Sequence, residues 1–172
     1  RLMFSYLTEQ IASQGYIVVS IDHTDSTFRD ARPIVSTLLN RSLDDLFVLD
    51  AMDKLSKDSE AFLFNLLDAN NTAIIGYSMG GYGALNVAGA GYSPQAVQQF
   101  KGFTRGRLDL EQRMIGNPSF EASFDSRIKA IVAMAPWGME NGVWDEEGLL
   151  GLKIPTFFVA GSMDDISGYE DG

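Results

Sequence analysis

The stretch Gly76-Tyr77-Ser78-Met79-Gly80 sets a serine two residues from a glycine on either side, the pattern G-x-S-x-G. A serine hydroxyl attacks carbonyl carbon when it is held out on a sharp turn and a base takes its proton. Thr72 to Ile75 reads as a short buried strand, and the Gly- and Ala-rich stretch from Met79 to about Ala90 reads as a helix. Strand before and helix after are the context that a nucleophile elbow needs, and they favour it over a glycine turn in which Ser78 is a plain N-cap. In such a turn, side chains two residues before and after the serine would collide, so Gly76 and Gly80 are expected to remove them. The backbone N–H of Met79, beside the positive end of the helix dipole, is the expected donor to an oxyanion.

A base that activates serine needs an acid to orient it, and in this chain order the acid follows a later strand. Gly161-Ser162-Met163-Asp164-Asp165 stands just beyond the apolar run Pro155 to Ala160. Asp164, three residues from the turn glycine, is expected to be the acid and Asp165 a helix cap; the alternative is that the pair only caps a following helix. The sole histidine, His23, precedes the serine and is therefore not expected to be the base. It lines the mouth of a site or is a solvated or hydrogen-bonded loop residue. Trp137, after the run Ile128 to Ala135, is a pocket wall or a core residue, and Tyr77 faces either pocket or core. The acidic string Asp164, Asp165, Glu170, Asp171 lacks the ligand spacing of a calcium loop, so no metal is expected.

These residues need elements to position them. Leu2 to Gln14 reads as a helix ended by Gly15, and Tyr16 to Ile21 as a buried strand. Ser42 is expected to cap a helix with Asp44 and Asp45 in its first turn and an apolar face through Leu55. Glu60 to Leu67 continues that helix or forms another, and Asp68 to Asn71 is a turn. Residues 91 to 127 carry a possible helix over Leu108 to Met114 and no strand pattern. With Ile128 to Ala135 and Pro155 to Ala160, four buried strands separated by helical segments predict a mostly parallel sheet with helices on both faces. Ligands in such sheets sit beyond the carboxyl ends of the strands.

Composition bounds the chemistry. The 172 residues carry a formal net charge of -10, which repels phosphate backbones, so nucleic acid is not an expected partner. Without cysteine there is no thiolate nucleophile and no zinc-thiolate site. No apolar run reaches the length of about 20 residues that spans a bilayer.

With these residues in view, the chain resembles the α/β-hydrolase superfamily. The closer likeness is to bacterial predicted dienelactone hydrolases and platelet-activating-factor acetylhydrolase-like serine esterases. It rests on Gly15 to Val19 leading to Asp22-His23, on Gly76 to Gly81, on Asp125 to Ala130 entering a strand, and on Pro155-Thr156 through Gly161-Ser162-Met163-Asp164. The resemblance implies an eight-stranded sheet with Ser78 as nucleophile and Asp164, at the fourth place of a G-x-x-D turn, as acid. It implies a catalytic histidine further on and a first oxyanion donor upstream of Arg1, so that residues 1–172 are the central part of one domain. Dienelactone hydrolases use a cysteine, absent here, and the implied activity is acyl ester hydrolysis, with no cofactor expected. Small-molecule short acyl esters are the default substrates, and lipid esters and aromatic polyesters the other classes. An amidase, an acyltransferase or a non-catalytic binding protein on the same fold are the alternatives.

Overall fold

The computed structural model describes residues 4–27, 34–106 and 109–168. The three apolar, β-branched runs that follow helical segments form strands β1 (Thr72–Tyr77), β2 (Ile128–Met134) and β3 (Thr156–Val159). They pair in parallel in the order β1-β2-β3. Tyr77 lies opposite Met134 and Met134 opposite Val159, so all three strands finish at one edge of the sheet. Residues just past these ends are thereby gathered side by side, the edge where parallel sheets bind ligands.

The helices are α1 (Ser5–Ser13), α2 (Ile34–Lys57), α3 (Met79–Ala88), α4 (Pro94–Phe103), α5 (Pro118–Glu121) and α6 (Glu146–Leu149). Helix α3 packs on β1 and β2, and α2 packs on α3. The small side chains of α3 allow that close approach: Ala84 and Leu85 are fully buried, against Ile131 and Ala133 of β2 in the same core cluster. Tyr82 joins the layers, its buried hydroxyl donating to the Leu38 carbonyl of α2 at 2.5 Å. On the other face of the sheet Ile75 and Tyr77 stay exposed, and the Tyr77 ring meets Phe4 with centroids 5.3 Å apart.

Several sequence expectations are corrected here. Residues 16–21 form no strand, and Tyr16 and Val19 are 67% and 46% exposed. Their β-branched side chains suit a strand, but among the described residues no neighbouring strand satisfies their backbone groups. Ser42 is not a cap: α2 begins eight residues earlier, and Ser42 sits buried inside it. Glu60 to Leu67 makes turns rather than a helix. Between 91 and 127, α4 was not anticipated, although Ser93-Pro94 is a cap followed by proline in the first turn, and the Ser93 hydroxyl accepts the Ala96 N–H. The helix expected over 108–114 is one 3₁₀ turn, Leu110–Arg113, and Leu108 lies outside the described residues.

Candidate active site

The elbow is a left-handed residue wedged between β1 and α3. Ser78 has φ 53° and ψ -117°, a conformation that costs a non-glycine residue of order 1–3 kcal/mol. Its backbone is fixed on both sides. The N–H donates to the Met134 carbonyl at 2.9 Å, and the carbonyl accepts from Tyr82 N–H and Trp137 N–H, each at 3.1 Å. The half-buried hydroxyl makes no capping bond to the helix. The residue is thus held by its main chain and leaves its oxygen free for chemistry.

The glycines do not share the work as expected. A Cβ on Gly76 would lie 2.1 Å from the Gly80 carbonyl oxygen, so Gly76 is required. A Cβ on Gly80 would meet nothing within 4 Å; the second required glycine is Gly81, whose Cβ would sit 2.9 Å from the Pro136 Cα. The doubled Gly80-Gly81 was the signal in the sequence, and the spacing of the motif pointed to the wrong member of the pair. Met79 opens α3 directly after Ser78, which puts its N–H at the positive end of the helix.

Trp137 comes close to Ser78 through the backbone bond just given. Its ring is partly buried against the core, edge-on to Tyr82 at 5.6 Å and stacked with Phe100 at 6.2 Å. Tyr77 points away from α3 onto the exposed face, next to Phe4. Of the two, Trp137 flanks the elbow from the β2 side, and Tyr77 stands on the side of the sheet opposite the core.

Past β3 the chain turns so that the Gly161 carbonyl accepts the Asp164 N–H at 3.0 Å. Asp164 Oδ1 then accepts the backbone N–H groups of Ile166 and Ser167 at 2.9 and 3.0 Å. Asp164 therefore does the capping expected of Asp165, which is exposed. The Ser167 N–H first, and then that of Ile166, hold the Asp164 carboxyl below the ordinary carboxylate range, so it is an anion at neutral pH. Two N–H donors on one oxygen fix the orientation of the group and leave lone pairs on the other. Two strand spacings of about 4.8 Å separate the ends of β1 and β3.

His23 belongs to a different cluster. Its Nδ1 lies 2.8 Å from Asp44 Oδ2 and its Nε2 3.9 Å from Asp45 Oδ1, both on α2. Nearby, Arg41 of α2 bonds the Ser26 hydroxyl. Burial lowers the His23 pKa and outweighs the hydrogen bond to Asp44, while burial pushes the Asp45 carboxyl up to about 7 against the pull of Arg41. Of the two readings of His23, the mouth of a site or a hydrogen-bonded loop residue, the structure shows a partnered loop residue with its ring turned to α2. Glu170 and Asp171 of the acidic string lie outside the described residues.

Residues 2–104 match the profile of a family described as PET hydrolase-like. That is more than half of the 172 residues. The chain belongs to the PET hydrolase-like family. Similar proteins include Cutinase est2 of Thermobifida alba, 34% identical over 95% of this chain and 37% of that protein. Cutinase est1 of the same organism is 26% identical over 95% of this chain and 38% of its own length. Cutinase 2 of Thermobifida cellulosilytica is 24% identical over 95% and 43%. The chain spans about two fifths of the length of the curated relatives it matches. The parallel sheet with its elbow between β1 and α3 is that of the α/β-hydrolase fold, as the family membership requires.

Proposed function

We propose that the protein is a serine carboxylic ester hydrolase in which Ser78 is the nucleophile and Asp164 the acid of a Ser-His-Asp triad. The observation that carries this reading is the elbow: a left-handed serine whose backbone is bonded on both sides and whose hydroxyl spends no bond on the helix. The relatives' names, cutinase and PET hydrolase, support ester bonds as the target.

In this mechanism the Ser78 Oγ attacks the ester carbonyl carbon and its proton passes to an imidazole. The carbonyl π-bond opens to an oxyanion that the Met79 N–H meets. Collapse of the tetrahedral species breaks the bond to the alcohol, which leaves with the proton from the imidazolium, and water then releases the acid by the reverse sequence. Asp164 holds the imidazole in one tautomer and stabilises its charged form. His23 is committed to α2 through Asp44 and is not assigned as that imidazole. Trp137, which flanks the elbow, is assigned to one wall of the acyl or alcohol site, and Tyr77 to its outer margin.

The test is covalent labelling of the full-length protein by a fluorophosphonate, with the adduct located by peptide mass spectrometry. The label is expected on Ser78, together with turnover of p-nitrophenyl acetate. A protein that turns over no ester and takes no label is a binding protein on this fold. A label on another serine moves the nucleophile.

A further inference from the structure

The four residues Met134 to Trp137 make more contacts at the site than the triad requires. Both backbone groups of Ser78 bond to this segment, the N–H to the Met134 carbonyl and the carbonyl to the Trp137 N–H. For a carbonyl at one end and an N–H three residues on to face the same residue, the chain must turn sharply between them. Ala135 makes that turn with φ 42°, a left-handed value unusual for alanine. Its own N–H donates in the other direction, to the Val159 carbonyl at 2.7 Å, at the last residue of β3. Pro136 then lies so close to α3 that only glycine fits at position 81. One short segment therefore touches the nucleophile on one side and, on the other, the strand that leads into the Asp164 turn.

We propose that Ala135 is a positioning residue: its left-handed turn fixes the Ser78 backbone to the end of β2 and sets the distance from the serine to the acid turn beyond β3. The inference rests on the reading of Ser78 as nucleophile, but its structural half, the anchoring of the Ser78 backbone, can be measured without any turnover. A left-handed alanine is a cost that glycine would remove, and its retention is accounted for if glycine would also free the turn. Misplacement of a reacting group by about 1 Å costs up to about 100-fold in rate, so a loosened anchor is expected to be felt in kcat.

The variant is Ala135→Gly in the full-length protein. Glycine adopts φ 42° without strain, so the thermal midpoint is expected to stay at or above the wild-type value. The amide protons of Ser78 and Trp137 are expected to exchange roughly tenfold faster, with those of the β2 interior unchanged. With p-nitrophenyl acetate, kcat and the fluorophosphonate labelling rate are expected to fall together by about tenfold, with KM within twofold of wild type. Wild-type exchange at Ser78 and Trp137, or unchanged kcat despite faster exchange, overturns the proposal. A fall in the thermal midpoint that accounts for the lost activity overturns it too, because the segment is then merely structural. If wild type shows neither turnover nor label, the hydrolase reading fails and the positioning role in catalysis with it. Faster exchange in the variant would then still establish Ala135 as the anchor of the Ser78 backbone.

Discussion

Two apolar runs in this chain end in a residue able to do chemistry, and they fare differently. Residues 16–21 lead to His23, and residues 72–77 lead to Ser78. The first run is as β-branched as the second, yet among the described residues it is unpaired and exposed, and its histidine is bonded to α2. The second run is paired along its length to β2, and its serine has a fully bonded backbone and an uncommitted hydroxyl. A group that keeps its main chain fixed and its side chain free is available for reaction. One whose side chain is already bonded, as His23 is to Asp44, is spent on structure.

The sharpest way to break that contrast is to remove the hydroxyl. Ser78→Ala in the full-length protein is expected to lower kcat for p-nitrophenyl acetate by about 10⁶-fold and to abolish probe labelling, by analogy with removal of a triad nucleophile. The thermal midpoint should stay nearly constant, because no capping bond is lost. Turnover that survives the change would place the reactive group elsewhere. Next in size is the acid. Asp164→Asn is expected to cost about 10⁴-fold in kcat, since the amide favours the wrong tautomer of the base, while Asp165→Asn should change it little. Reversed effects would show that the turn positions the neighbouring carboxylate, even though Asp164 is the one that accepts the Ile166 and Ser167 N–H groups.

The glycines give an effect on stability rather than rate. Gly76→Ala drives a methyl into the Gly80 carbonyl at 2.1 Å and is expected to cost about 3 kcal/mol or more in urea unfolding. Gly80→Ala, with open space around it, should cost less than about 1 kcal/mol. Equal losses would mean that the elbow relaxes around either methyl.

This pair also marks how far the sequence could be read. Strand, serine and helix were legible because periodicity and a fixed spacing are local properties of the chain. The partner of Gly81 was not, since it is Pro136, 55 residues on, and comes near only through the pairing of β1 with β2. Ala135 was illegible for the same reason: nothing in an Ala-Pro pair announces a left-handed turn, which arises because two neighbouring strands claim its backbone bonds. Helix α4 is signalled by its Ser-Pro start and by Ala96, Val97 and Phe100, buried at helical spacing, but the glutamines and Gly102 among them dilute the pattern. The first apolar run misled in the opposite sense. A buried-strand composition is satisfied only where a ladder exists, and composition alone does not say where.

The smallest expected effect concerns the histidine and whether its partners make it charged. Two forces oppose each other at His23: burial disfavours the imidazolium, and the bond to Asp44 favours it, with burial the larger. The folded state therefore binds a proton on His23 less readily than the unfolded chain, whose value lies near 6.5. Its contribution to stability is present above that pH and is lost as pH falls through 6.5 toward the lowered folded value. Asp45 works the other way. Folded, it keeps its proton up to about 7, whereas an unfolded aspartate releases it near 3.8, so its contribution is greatest at low pH and declines as pH rises from 3.8 to 7. Urea unfolding of the wild type, His23→Gln and Asp45→Asn between pH 4.5 and 8 separates the two. Relative to His23→Gln, the wild type is expected to lose stability on going from pH 8 to 5. Relative to Asp45→Asn, it is expected to lose stability on going from pH 4.5 to 7. If the first difference has the opposite sign, the Asp44 bond outweighs burial and His23 is a charged partner of α2, held more tightly as acid is added.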